Sequence, residues 1–367
     1  MNTDLQAIGW VAAALVTAMV VALITTPVVR ALAFRVGAVD VPKDSRRMHD
    51  HPIPRMGGLA IFFGFILSAI IYVEITPQFQ GMMLGAVIIV VLGIFDDIYA
   101  LGAKFKLLVQ IAAALVAVHF GNVIQIISNP NVLSPNPYWD LGWLAVPATV
   151  LWIVAITNAV NLIDGLDGLA CGVSTISSMT MLVISLAVAD GPVAVIMAAL
   201  AGGCIGFLPY NLNPAKIFMG DTGSTFLGFV LAVMSIQGLF KFYTIISFAV
   251  PFLMLGLPIF DTCFAFIRRI AHGQRPMHPD RSYVHHRLID MGFNQKQAVA
   301  VLYIISAILG LCAVVLTTSG ELKAMLLLLA LCAAGAVSGR IFLSNNEKRR
   351  SEDKAESPDT ADKGEER

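Results

Sequence analysis

The chain has 367 residues, 57% hydrophobic and 13% charged, with 24 Lys and Arg against 24 Asp and Glu. Soluble domains run near 45–50% apolar and about 25% charged, so lipid must solvate much of this surface. A zero formal net charge argues against a nucleic-acid partner.

The first apolar run, 8–29, has no basic residue before it and exceeds a signal-peptide core of about 7–15 residues, so it reads as a retained helix. Further runs follow at 57–76, 81–95, 106–120, 143–162, 170–189, 192–210, 222–240, 243–267, 297–317 and 321–343. Each approaches the roughly 20 residues that cross a bilayer, and lipid forces such segments to be helical. The expectation is an all-α polytopic membrane protein with about eleven transmembrane helices, membrane-embedded over 1–343. A disordered, charged cytoplasmic tail is expected over 344–367. The loop 121–142 has the make-up of a short hairpin. Cys171, Cys204, Cys263, Cys312 and Cys332 fall in apolar runs without metal or redox spacing and read as small hydrophobes.

Basic residues set the orientation. With the loop after the first helix cytoplasmic, 22 of the 24 Lys and Arg fall on that side, leaving only Lys241 and Lys323 outside. The expected location is a cell (plasma) membrane with the functional loops facing the cytoplasm.

Acidic residues beside membrane spans are costly and mark function, and here they gather on the cytoplasmic side. GIFDDIYALGAKFK carries Asp96, Asp97 and Lys104. NAVNLIDGLDGLA carries Asn158, Asn161, Asp164 and Asp167. NLNPAKIFMGDTGS carries Lys216 and Asp221. RRIAHGQRPMHPDRSYVHHRL carries His278, Asp280, Arg281, His285 and His286. Each has a plain reading, as a helix cap, a Gly-rich turn or interfacial histidines. All four on one face point to a site.

Two adjacent carboxylates call for a cation, either Lys104 or a metal. Asp164 and Asp167, three apart, would share a face if helical. The helix start at 222–224 offers free backbone N–H groups to a phosphate. Oxygen-rich ligation without cysteine favours Mg²⁺ or Mn²⁺. Carboxylates, such a metal and Lys suit phosphoryl transfer. In a lipid-embedded enzyme that suggests a nucleotide donor and a lipid acceptor.

In order and spacing, Asp96–Asp97 with Lys104, NLIDGLDGLA, FMGDTGS and the PDR…HH segment resemble the polyprenyl-phosphate N-acetylhexosamine-1-phosphate transferases over about residues 35 to 290. The resemblance implies transfer of a sugar-1-phosphate from a UDP-sugar to polyprenyl phosphate, releasing UMP. It implies Asp221 as main Mg²⁺ ligand, with Asn161 and Asp164 or Asp167 lining the metal and nucleotide site. Asp96 is similar to the residue that deprotonates the lipid phosphate, with Asp97 supporting it. Lys43 and Lys104 would hold phosphate oxygens, and Arg281, His285 and His286 resemble the donor loop. Tyr283 stands where close relatives of the N-acetylglucosamine branch often have His.

The Asp-Arg pair before two histidines favours UDP-N-acetylglucosamine as donor. Another UDP-N-acetylhexosamine or UDP-muramyl-pentapeptide is the alternative. A homodimer is compatible with the sequence. A secondary transporter is the rival from another class, but it would place its polar groups near the bilayer midplane.

Overall fold

The computed structural model describes residues 2–41, 51–128, 138–238, 246–271 and 283–319, together with Lys323. Twelve helices are described: α1 (Asn2–Val36), α2 (Gly58–Tyr72), α3 (Pro77–Tyr99), α4 (Ala103–His119), α5 (Ala145–Leu162), α6 (Leu169–Ala187), α7 (Gly191–Asn211), α8 (Gly220–Gly238), α9 (Ile246–Met254), α10 (Gly256–Ala271), α11 (Val284–Asp290) and α12 (Gln295–Ser319). Six stretches are long and apolar enough to cross a membrane: Ile8–Val36, Pro77–Tyr99, Gly142–Leu162, Leu169–Ala187, Gly191–Asn211 and Gln295–Ser319. Gly58–Tyr72 is a shorter apolar helix. The protein is an all-α multi-pass membrane protein. Ten of the eleven expected spans have helical counterparts, and the eleventh, 321–343, lies outside the described residues apart from Lys323, as does the tail.

The ninth span differs from expectation, because it is two helices parted at Leu255. Pro258 has no N–H to give the carbonyl four residues back, and its ring crowds that carbonyl. The carbonyl is that of Met254, and Ser177 of α6 donates its hydroxyl to it at 2.9 Å. Several other hydroxyls inside helices return to their own helix, as Thr26 to Ala22, Thr149 to Ala145 and Thr157 to Ile153. An unpartnered polar group in hydrocarbon would cost several kcal/mol.

α8 is the centre of the bundle. Every residue from Thr222 to Ile236 is buried, and α2, α3, α5, α6 and α7 pack around it. α7 sits between α1, α2 and α6. Apolar side chains such as Ile24, Val28, Ile70, Leu151 and Ile304 point outward, as a lipid-facing surface requires.

Two small antiparallel hairpins sit at opposite ends of the bundle. β1 (Val39–Asp40) pairs with β2 (Ile53–Pro54) after α1. β3 (Ile126–Ser128) pairs with β4 (Tyr138–Asp140) between α4 and α5, matching the hairpin expected in 121–142. The first hairpin leads into a backbone ladder. Phe218 donates to Pro54, Gly57 to Phe218 and Gly58 to Met219, each at 2.9 Å. That ladder fixes the segment entering α8, two residues before Asp221.

Candidate active site

The carboxyl ends of α3 and α5 and the amino ends of α4 and α8 meet at one end of the bundle. Each carries one of the polar groups singled out in the sequence.

Lys106 of α4 donates to Asp96 Oδ2 at 2.9 Å and to Asp221 Oδ2 at 2.8 Å. One ammonium thus joins carboxylates from α3 and α8. The expected cation was Lys104 or a metal, and Lys104 is exposed instead. Two residues are about 200° apart on a helix at 3.6 residues per turn, so only one of the pair can face the carboxylates. Asp96 Oδ1 also accepts from the backbone N–H of Leu101 at 2.7 Å, which anchors the turn between α3 and α4.

Asp97 closes the start of α8. Its Oδ1 accepts from the N–H of Asp221 at 2.9 Å. Its Oδ2 accepts from the N–H of Thr222 at 3.1 Å and from the Thr222 hydroxyl at 2.6 Å. The helix start expected to hold a phosphate is therefore held by a carboxylate from α3, a cap supplied from a distant part of the chain. Gly220 makes room for it: its φ is +72°, and a Cβ there would meet Asp97 Oδ2 at 2.4 Å.

Asn161, at the end of α5, accepts from the Ser224 hydroxyl through Oδ1 at 2.6 Å and is also a side-chain hydrogen-bond partner of Asp221. One turn back, Asn158 and Gln110 form an amide pair between α5 and α4, with Asn158 Nδ2 donating to Gln110 Oε1 at 2.7 Å. Lys106 and Gln110 are four apart on α4, a polar pair on one face of an apolar helix. That spacing was the available signal for Lys106.

Asp164 and Asp167 diverge rather than share a face, because residues 163–168 form a turn between helices. Asp164 is half-buried. Its carboxyl is pushed up to about 8, first by burial and then by the charges of Asp221, Asp97 and Asp167. Asp167 turns away to the loop after α7, where its Oδ2 accepts from Asn213 Nδ2 at 2.9 Å and from the Ala215 N–H at 3.0 Å. Its observed contacts hold that loop. Lys216 is exposed.

His285 is 1% exposed and packs on the Asp164 turn. A Cβ on Gly165 would meet its Nε2, so the absence of a side chain at this glycine makes room for the histidine. His286 lies 4.3 Å from it, ring centre to ring centre. Lys43, His278, Asp280 and Arg281 lie outside the described residues.

The ensemble is a set of oxygen donors around one ammonium, at the ends of buried helices. It is equipped to neutralise a phosphate group and exchange a proton with it.

A family model for glycosyl transferase family 4 matches residues 79–239, which contain Asp96, Asp97, Lys106, Asn161, Asp164 and Asp221. The chain is 45% identical over 311 residues to the Bacillus subtilis protein named "Probable undecaprenyl-phosphate N-acetylglucosaminyl 1-phosphate transferase", covering 83% of this chain and 85% of that one. It is 32% identical over 322 residues to decaprenyl-phosphate N-acetylglucosaminephosphotransferase of Mycolicibacterium smegmatis, covering 78% and 77%. It is 39% identical over 194 residues to phospho-N-acetylmuramoyl-pentapeptide-transferase of Caldicellulosiruptor bescii, covering 49% and 60%.

Proposed function

The chain belongs to glycosyl transferase family 4, and on that premise we propose that it transfers N-acetylglucosamine 1-phosphate from UDP-N-acetylglucosamine to a polyprenyl phosphate at the cytoplasmic face of a cell membrane. UMP is released, and the product is the lipid-linked first sugar of an envelope glycan. The observation that carries this reading is the Lys106 ammonium shared by Asp96 and Asp221.

Phosphoryl transfer is governed by positioning and by neutralising charge on the transferring oxygens. Lys106 supplies one such charge. Both Asp96 oxygens are occupied, one by the Leu101 N–H and one by Lys106. An arriving lipid phosphate draws Lys106 toward itself and frees Oδ2 to take the phosphate proton. The lipid phosphate oxygen then attacks the phosphorus that carries the sugar, and the bond to UMP breaks. Asp97 is not the base that meets the lipid phosphate, since both its oxygens are committed to α8. Its part is to fix Asp221. His285 and His286, with Arg281 and Lys43, serve the donor and phosphate side.

Asp221 and Asn161 are oxygen ligands suited to Mg²⁺ or Mn²⁺. Among the described residues no three His, Cys, Asp or Glu side chains cluster as a ready-made metal site. A Mg²⁺ held by one or two carboxylates and completed by substrate phosphates fits such a set. When bound, the ion polarises phosphoryl oxygens as a Lewis acid.

Relatives named for N-acetylglucosamine align over 73–83% of this chain, and two pentapeptide transferases over 49% and 61%. That difference supports the smaller donor. The test is turnover by purified protein with UDP-N-acetylglucosamine, UDP-N-acetylgalactosamine and UDP-muramyl-pentapeptide, read as lipid-extractable label. Preference for the first is expected, and preference for the pentapeptide would overturn the donor assignment. The cytoplasmic orientation predicts that cysteines placed at Asn2 and Ser344 are labelled from opposite sides, and labelling from one side would defeat it.

A further inference from the structure

α10 is inverted relative to a helix of a soluble protein. Phe260, Phe264, Phe266, Ile267 and Ile270 are exposed, whereas Asp261, Ala265 and Arg269 are buried. Spacing of four puts those three on one face. Two charged side chains are buried on a helix whose outer face is apolar, and such groups persist where they make specific contacts.

Both reach the start of α11. Asp261 Oδ1 accepts from the Val284 N–H at 2.9 Å, and its Oδ2 lies 3.8 Å from His285 Nδ1. Two turns along, Arg269 Nη2 donates to the Tyr283 hydroxyl at 3.0 Å, with the guanidinium carbon 5.8 Å from the Tyr283 ring centre. The Tyr283 ring is parallel to that of His285, at 2° and 5.7 Å between centres. His285 Nδ1 is buried without a hydrogen-bond partner, and the carboxylate oxygen facing it is that of Asp261.

Resting on the reading of this chain as a UDP-sugar phosphotransferase, we infer that Asp261 is a positioning residue that sets His285 for the donor, and that Tyr283 braces the same contact through Arg269 rather than reading the sugar. A shift of about 1 Å brings Nδ1–H and Oδ2 to hydrogen-bond distance. That bond puts the proton on Nδ1 and leaves the lone pair on Nε2. Nε2 lies over Gly165, beside Asp164. Donor binding that draws the buried ring off Gly165 would let Nε2 accept a hydrogen bond from a hydroxyl or N–H of the UDP-sugar. Tyr283 has its hydroxyl on Arg269 and its ring against His285, so both parts of the side chain are engaged within the protein.

The experiment is steady-state kinetics on the full chain in detergent, with the KM of the UDP-sugar and of the polyprenyl phosphate measured separately. Wild-type turnover reports on the reaction itself, and the variants then report on this inference. Asp261→Asn is expected to raise the donor KM about tenfold while the lipid KM stays within about twofold. Added to His285→Gln, it is expected to cost less than about twofold more, because the two act as one unit. If Asp261→Asn is not monodisperse, Asp261→Glu carries the same comparison. Tyr283→Phe should raise the donor KM less, and Tyr283→His should leave the ranking of UDP-N-acetylhexosamines unchanged. Equal rises in both KM values, independent multiplying effects of Asp261 and His285, or an unchanged donor KM in the Asp261 variants would overturn the role of Asp261. A reordered donor ranking in Tyr283→His would overturn that of Tyr283.

Discussion

Among the described residues, two helix starts are closed by carboxylates from other helices, and they differ in how completely. At α8, Asp97 uses both oxygens on two backbone N–H groups and a hydroxyl. At α11, Asp261 uses one oxygen on Val284 and leaves the other 3.8 Å from His285. The first arrangement is saturated and fixes Asp221 where charge must be placed without reorganisation. The second has slack. Under the proposed function the saturated start lies at the phosphate end of the site and the slack one at the donor end.

The largest test of the phosphate end is Asp96→Asn. Loss of a general base costs about 10²–10⁴ in rate. The lipid phosphate has a second pKa near about 6, by analogy with monoesters, so the deficit should shrink as pH rises above that value. A pH–rate profile measures this, and a uniform deficit at all pH would assign Asp96 an electrostatic or nucleophilic role.

Next is the lysine pair. Lys106→Gln should lower kcat by about 10²–10³, the usual cost of removing one charge-stabilising donor. Lys104→Gln should stay within about twofold. The reverse order would show that the ammonium between Asp96 and Asp221 is not the one that serves the phosphates.

Asp97→Asn puts an N–H donor in place of one acceptor oxygen at a donor-rich helix start and should cost about 1–3 kcal/mol of stability, together with turnover. Thermal unfolding checks it. Unchanged stability would mean that the α8 cap is not what holds Asp221.

The smallest effect concerns Asp164. Its folded pKa, about 8, lies above its ordinary value of 3.8. The folded state therefore holds the proton more tightly than the unfolded chain. The stabilising contribution is complete below about pH 4 and is lost as pH rises through about 8. In metal-free protein the melting temperature should fall from pH 6 to 9, and Asp164→Asn should flatten that slope. Parallel slopes would remove Asp164 from the charge cluster around Asp221.

The sequence by itself determined the all-α multi-pass membrane class and the four polar segments. These follow from local quantities, namely apolar run length and acidic residues beside hydrophobic stretches. It also located Asp96, Asp221 and Asn161, since each sits at the end of a span. Only the tertiary structure decided which partners they have. Lys106 replaces Lys104 because helix phase, not closeness in sequence, selects which lysine faces α8. Asp97 became a cap because α3 and α8, over a hundred residues apart in sequence, pack side by side and bring Asp97 to Gly220. The break at Leu255 was legible in Pro258, but the hydroxyl of Ser177 that makes it tolerable comes from α6. Asp261 was legible as a charge near one end of a span. Its attachment to α11 depends on how two separate helices pack, which no local pattern encodes.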